Sequence, residues 1–199
     1  MNLEPIQKAL DWYSDTIFQV RQKKAREGTP VVLSCSKGCS ACCSEPLAAT
    51  EPEMLLMLSK LSAEQLAEVK ERTQVWLAKA QAMGLDDMDD APNAFVYRAH
   101  NLECPFLKNK MCIAYHQRPL GCRAHMAIGP RQACEDLNLR PKQKFCYMPE
   151  LLEAANMRLI NAVIDGAGPL AEKIFLDMGH LGSLLARHFK LVEVEVKHG

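Results

Sequence analysis

Neither sign of charge dominates this 199-residue chain: Lys and Arg together number 24, Asp and Glu number 24, and the formal net charge is zero. A balanced molecule has no global attraction to nucleic acid or to acidic lipid. Long apolar runs are missing too, since no window approaches the roughly 18 residues of a membrane-spanning helix. The first residues, Met1 to Lys8, lack the basic stretch and apolar run of a secretory signal. These absences lead to the expectation of a cytoplasmic protein in a reducing environment with no membrane association. Ser-His-Asp, His-Glu-x-x-His and phosphate-loop signatures are absent, which leaves a hydrolase or nucleotide enzyme unsupported. There is no internal repeat and no low-complexity tract.

Cysteine is what the chain has in quantity. There are nine, an odd number, and four of them, Cys35, Cys39, Cys42 and Cys43, fall within nine residues. A cytoplasmic location keeps thiols reduced and argues against a disulfide framework, as the odd count also does. Clustered thiols then point to a thiophilic metal or an iron–sulfur cluster. At offsets 0, 4, 7 and 8 the four would share one face of a helix, while Gly38 and the flanking serines suit a turn-rich loop equally well. Either geometry predicts sulfurs converging on one point. The remaining cysteines are Cys104, Cys112, Cys122, Cys134 and Cys146. Paired Cys-x-x-Cys knuckles of the zinc-finger kind are not present, and vicinal Cys42 and Cys43 are expected to point apart, which suits two neighbouring sites or a polynuclear centre. The spacing Cys35-x3-Cys39-x2-Cys42 also matches that of radical S-adenosylmethionine enzymes, but those need a barrel of alternating strands and helices. This chain offers about five helices and few strands.

The predicted fold is mostly α: a single domain over 1–199, helical around an irregular cysteine-rich core at 31–147. Ile6, Leu10, Tyr13, Ile17 and Val20 recur at helical spacing within 1–27, and Gly28 and Pro30 end that helix. Val31 to Leu33 reads as a short strand. Thr50-x-x-Glu53 and Ser62-x-x-Gln65 are capping-box signals that open two helices, an inserted hairpin over about 51–83. The acidic run Asp86 to Asp90 reads as a solvated linker. Residues 91–147 carry no long period, so their structure is expected to come from ligation. Pro149 starts a further helix with Gly166 as its stop, and Leu170, Ile174, Met178, Leu181 and Leu185 mark another, within flanking helices spanning 149–189. His180 and His188 read as ordinary helix residues. Val192, Val194 and Val196 alternate like a strand, with Val31 to Leu33 as its candidate partner.

Charge is segregated: residues 45–95 hold ten acids against four bases, and residues 96–149 hold nine bases against three acids. The basic face of Lys108, Lys110, Arg131, Arg140, Lys142 and Lys144 has few interleaved aromatics beyond Phe145 and Tyr147, which does not favour nucleic acid as a partner. Arg118 and Arg123 are expected either to offset the charge of clustered thiolates or to pair with the acidic segment. Pro105 and Pro119 would stiffen the turns at Cys104 and Cys122. His125 is the best non-thiol ligand candidate.

The segments Cys35-x3-Cys39-x2-Cys42-Cys43, Cys104-Pro-Phe-Leu and Cys112-Ile-x-Tyr115-x-x-Arg118-Pro119-x-x-Cys122-Arg123 together resemble the YkgJ-type cysteine-cluster family of zinc- or iron-chelating domains. The resemblance spans roughly residues 31–136. It implies metal ligation by Cys35, Cys39, Cys42, Cys43, Cys104, Cys112 and Cys122, with Cys134 as a further downstream ligand. Cys146 and His125 are additional candidates, and Arg118 and Arg123 are supports. His116 stands where relatives commonly have an acid. A related cysteine motif occurs in flagellin lysine N-methylases, although this chain is shorter and lacks a Gly-rich cofactor loop. The preferred expectation is an iron–sulfur cluster with a redox or metal-dependent role on a protein partner or small molecule. The alternatives are a structural Zn2+ interaction module and a methylase-like modifying enzyme.

Overall fold

The computed structural model describes residues 1–33, 35, 38–84, 99–128, 132–136, 144–145, 148–167 and 179–191. Helices dominate. Helix α1 (Glu4–Arg26) buries Ile6, Ala9, Leu10, Tyr13 and Ile17, the stripe that its periodicity predicts, and ends where Gly28 takes φ +76°. Helix α2 (Glu51–Leu58) and helix α3 (Ala63–Ala82) form the inserted hairpin, each opened by a complete capping box, at Thr50–Glu53 and Ser62–Gln65. Short helices α4 (Leu120–Ala124) and α5 (Gln132–Glu135) follow, then α6 (Pro149–Ala167) and α7 (Leu181–His188).

The core divides around α2. On one side Leu56 joins Ile6, Leu10 and Tyr13 of α1 to Ala155, Leu159 and Val163 of α6. Met54 and Met57 face the other way, onto Val69 of α3, Phe106, and Leu181, Leu184 and Leu185 of α7. Such side chains contribute on the order of 1.5–3 kcal/mol each when fully buried. Gly182 lets α7 lie flat on the indole of Trp76, because a Cβ there would sit 2.4 Å from the ring.

Strands are two-residue pairs: β1 (Ala48–Ala49) with β6 (Gly179–His180), β2 (Leu107–Lys108) with β3 (Met111–Cys112), and β4 (Ala127–Ile128) with β5 (Lys144–Phe145), all antiparallel. Several expectations change. Val31 to Leu33 is not a strand, and Leu33 makes a lone bridge to Ile128. His180 belongs to β6 rather than to a helix. Gly166 is not a stop: α6 runs past it, and its missing side chain admits the Asn2 carbonyl, which would lie 2.5 Å from a Cβ, while the Asn2 N–H donates to the Gly166 carbonyl at 3.2 Å. The segment expected to depend on ligation has packing of its own, since Leu102, Phe106, Ala114 and Leu120 are all buried. The acidic run Asp86 to Asp90, the positions Leu170, Ile174 and Met178, and the alternating Val192 to Val196 lie outside the described residues. No described helix is long and apolar enough to cross a membrane.

Candidate metal centre

Each cysteine is set by a local device. Gly38, at φ +82°, turns the chain, and a 3-10 turn over Ala41–Ser44 then carries Cys42 and Cys43. The turn-rich reading of this stretch therefore holds over the single helical face. Across the inserted hairpin the chain returns at Cys104, whose N–H donates to the Cys43 carbonyl at 2.7 Å. The next residue, Pro105, is held through its carbonyl by the Arg72 Nε at 2.6 Å. Cys112 lies on β3, opposite Leu107, in a hairpin whose two turn residues, Asn109 and Lys110, both have positive φ. Two left-handed residues match the twist of a tight hairpin.

Cys122 rides on α4, which is fixed from two sides. Glu53 of α2 accepts the Leu120 N–H on Oε1 at 2.7 Å, while its Oε2 accepts the N–H and hydroxyl of Thr50 at 2.8 and 2.9 Å. One buried carboxylate thus serves the first turns of both α2 and α4. Burial pushes its pKa up, and the bonds from Leu120 and Thr50 oppose that shift. Gly121 meets the Ala48 carbonyl oxygen, which a Cβ would approach to 2.6 Å, so α4 presses directly on β1.

These devices surround one chamber of about 490 Å3, and Cys39, Cys42, Cys43, Cys104, Cys112 and Cys122 all line it. Met57, Trp76, Leu102 and Leu181 make an apolar wall, and Lys110 and Arg118 add positive charge. Cys35 and Cys134 do not line the chamber. Cys35 feels the charges of Cys42, Cys39 and Cys134, so it adjoins the chamber on the side of Cys39 and Cys42. The charge of Cys42 also acts on Cys43, Cys104, Cys112 and Cys122. Cys146 lies outside the described residues. All eight described cysteines are free thiols.

The sulfurs line a wall rather than meet at a point: among the described residues no three Cys, His, Asp or Glu groups are arranged to hold an ion. Their electrostatics nevertheless suit a cation. Burial pushes the Cys104 thiol up to about 12, with the neighbouring Cys112 adding to it, and raises Cys122 and Cys112 as well. Cys43 is raised first by its hydrogen bond with Cys42 and then by burial, while the same bond lowers Cys42. Thiols held neutral by enclosure ionise when a metal ion supplies the missing positive charge. The donor set fits a thiophilic metal.

The structure bears on three further sequence expectations. Cys42 and Cys43 line the same chamber, and the two adjacent thiols shift each other's titration in opposite directions, Cys42 down and Cys43 up. Arg123 supports the centre indirectly. Its guanidinium is buried against α1, donating to the Leu10 carbonyl at 3.0 Å and the Ser14 hydroxyl at 2.7 Å and pairing with Asp11 at 3.3 Å. It also donates to the carbonyls of Arg118, at 2.8 Å, and His116, fastening the loop before Cys122. The acid it pairs with therefore comes from α1, outside the 45–95 segment, although Glu53 adds a weaker attraction. His125 places Nε2 3.3 Å from Glu45 and does not line the chamber.

Arg118 does face the thiols, and its charge lowers Cys42, Cys112 and Cys122. Lys108 of the expected basic face is engaged by Glu68 at 2.8 Å; Arg131, Arg140 and Lys142 lie outside the described residues, as does the side chain of Lys144. The role of Glu53 on α4 is not visible in sequence, because Thr50-x-x-Glu53 accounts fully for its presence as a cap.

No curated protein matches the chain. No solved structure matches it either. Residues 34–149 do match the model of the CxxCxxCC family, described as "Putative zinc- or iron-chelating domain", and the chain belongs to that family.

Proposed function

We propose that the chain holds an iron–sulfur cluster in this chamber and uses it in a redox or metal-dependent role on a partner molecule in the cytoplasm. The carrying observation is the six thiols on one chamber, two more than a closed tetrahedral ion takes. Cys39, Cys42, Cys43, Cys104, Cys112 and Cys122 are the chamber donors, with Cys35 and Cys134 as further candidates beside them. Such a centre supplies electron transfer or Lewis-acid chemistry when bound. The residues of the chain position the donors, moderate their charge through Arg118 and enclose them. Purification without oxygen, followed by visible absorption, elemental analysis and acid-labile sulfide, tests this. Iron with equimolar sulfide and a visible band is expected. A colourless protein with zinc and no sulfide would establish the second reading, a structural zinc module, which the backbone bond between Cys104 and Cys43 favours by bringing the two cysteine groups together.

A further inference from the structure

The chamber is larger and more apolar than a set of thiols needs. Its volume of about 490 Å3 falls within the range of small-molecule sites, which are mostly apolar with a few placed polar groups. Met57, Trp76, Leu102 and Leu181 line the chamber together with the cysteines, and all four belong to the buried core, so packing holds them in place. Two cations, Arg118 and Lys110, share the lining, and among the described residues neither has an ion-pair partner.

The Arg118 guanidinium lies 3.6 Å over the Tyr115 ring, and its Nε donates to the Tyr115 carbonyl at 2.9 Å. Among the described residues its two terminal amino groups make no hydrogen bond. Arg123 locks the same loop by binding the Arg118 and His116 carbonyls, so the guanidinium is presented by a fixed backbone. Lys110 sits at φ +59° in the hairpin turn, a conformation uncommon for lysine, and there its side chain lines the chamber without an ion-pair partner among the described residues. The acid on the same lining, Glu45, is paired with His125.

We infer that the chamber is a binding site for a small organic carboxylate with an apolar body, its carboxylate on Arg118 and Lys110 and its body against Trp76, Leu102 and Met57. A guanidinium stacked on one face and bonded through Nε leaves its other edge for a carboxylate, the geometry in which arginine is most selective. The inference goes beyond the metal-centre reading and stands on the cations and apolar side chains of the lining.

Trp76 and Trp12 are the two tryptophans, and Trp12 stacks against Arg158 away from the chamber. In a Trp12→Phe background Trp76 fluorescence therefore reports on the site. The probes are 3-phenylpropionate and its neutral counterpart 3-phenylpropionamide, titrated into the as-isolated protein with metal content measured on the same sample. Saturable change with the acid is expected, at least ~10-fold tighter than with the amide, and Arg118→Gln and Lys110→Gln should each weaken the acid ~10-fold while leaving the amide unchanged. If Arg118→Gln lowers metal content or folds poorly, exposed Lys110→Gln and the acid–amide comparison decide. Equal binding of acid and amide, or no saturable response in protein with a full metal complement, overturns the inference. Metal analysis fails separately: a metal-free protein that still prefers the acid sinks the metal reading and leaves the site standing.

Discussion

Glu53 and Leu120 are joined by a 2.7 Å hydrogen bond from the Leu120 N–H to a carboxylate oxygen, although they lie 67 positions apart in the chain. The other oxygen of that carboxylate closes the cap of its own helix. Replacing Glu53 by Gln leaves one acceptor oxygen where two are used and turns an amide donor toward a donor. Glu53→Gln should lose about 1–3 kcal/mol in urea denaturation, the cost of an unsatisfied buried group, and should lower metal content. Gln65→Ala, at the exposed cap of α3, should cost no more than about 1 kcal/mol and leave metal content intact. Equal effects of the two would remove Glu53 from its role in placing Cys122.

Arg123→Lys keeps the charge and loses the planar fork that reaches α1 and two carbonyls of the loop at once. A loss of about 2–4 kcal/mol is expected, since hydrogen bonds to charged groups contribute about 1.5–3 kcal/mol each and more than one is broken. Thermal melts of the purified variant check it, and a change under about 0.5 kcal/mol would be the contrary result.

Gly121→Ala and Gly84→Ala separate close approach from backbone conformation. At Gly121 the new methyl meets a backbone oxygen that cannot swing aside, and overpacking of that kind costs about 1–3 kcal/mol. Gly84, at φ +69° with open space around it, costs about 1–2 kcal/mol through the left-handed backbone alone. Only Gly121→Ala should reduce bound metal, because Gly121 sits on α4 beside the chamber cysteine Cys122, whereas Gly84 follows α3, which carries no cysteine. Elemental analysis of both decides.

The enclosed thiols predict how metal binding and stability depend on pH. Their protons are held in the metal-free protein at neutral pH, so metal must displace them and affinity should climb as pH rises from 6 to 8. Calorimetry in two buffers of different ionisation heat should show protons released on binding, and a pH-independent affinity would contradict the enclosure. The metal-free protein has the opposite tendency. Cys104 is raised from an ordinary 9.0 to about 12, so its unfolded thiol ionises first. The stability tied to that neutral thiol is complete below about pH 9 and is lost as pH climbs through about 12. Alkaline melts of metal-free protein should therefore fall off over that interval, and Cys104→Ser should flatten the fall.

What the sequence made legible was local. The spacing of Ile6, Leu10, Tyr13 and Ile17 defines α1, and Thr50–Glu53 and Ser62–Gln65 open α2 and α3, because caps and stripes are set by neighbours a few residues away. The cysteine spacing likewise leads to the family. Long-range relations were not legible. Gly166 reads as a helix stop by composition, whereas it is a contact with Asn2 at the far end of the chain. Arg123 reads as a partner for sulfur, yet α1 supplies the nearest acceptors once the helices pack. The placement of Cys42 and Cys43 on one chamber depends on the 3-10 turn, which no pattern in the cysteines specifies.

The bond from the Cys104 amide to the Cys43 carbonyl contains neither sulfur nor metal. It latches the two banks of cysteines with main-chain atoms, so closing the loop around the hairpin does not rest on sulfur ligation alone. A cysteine-to-serine change at either position keeps both the amide and the carbonyl, and so leaves that latch in place while it removes a donor.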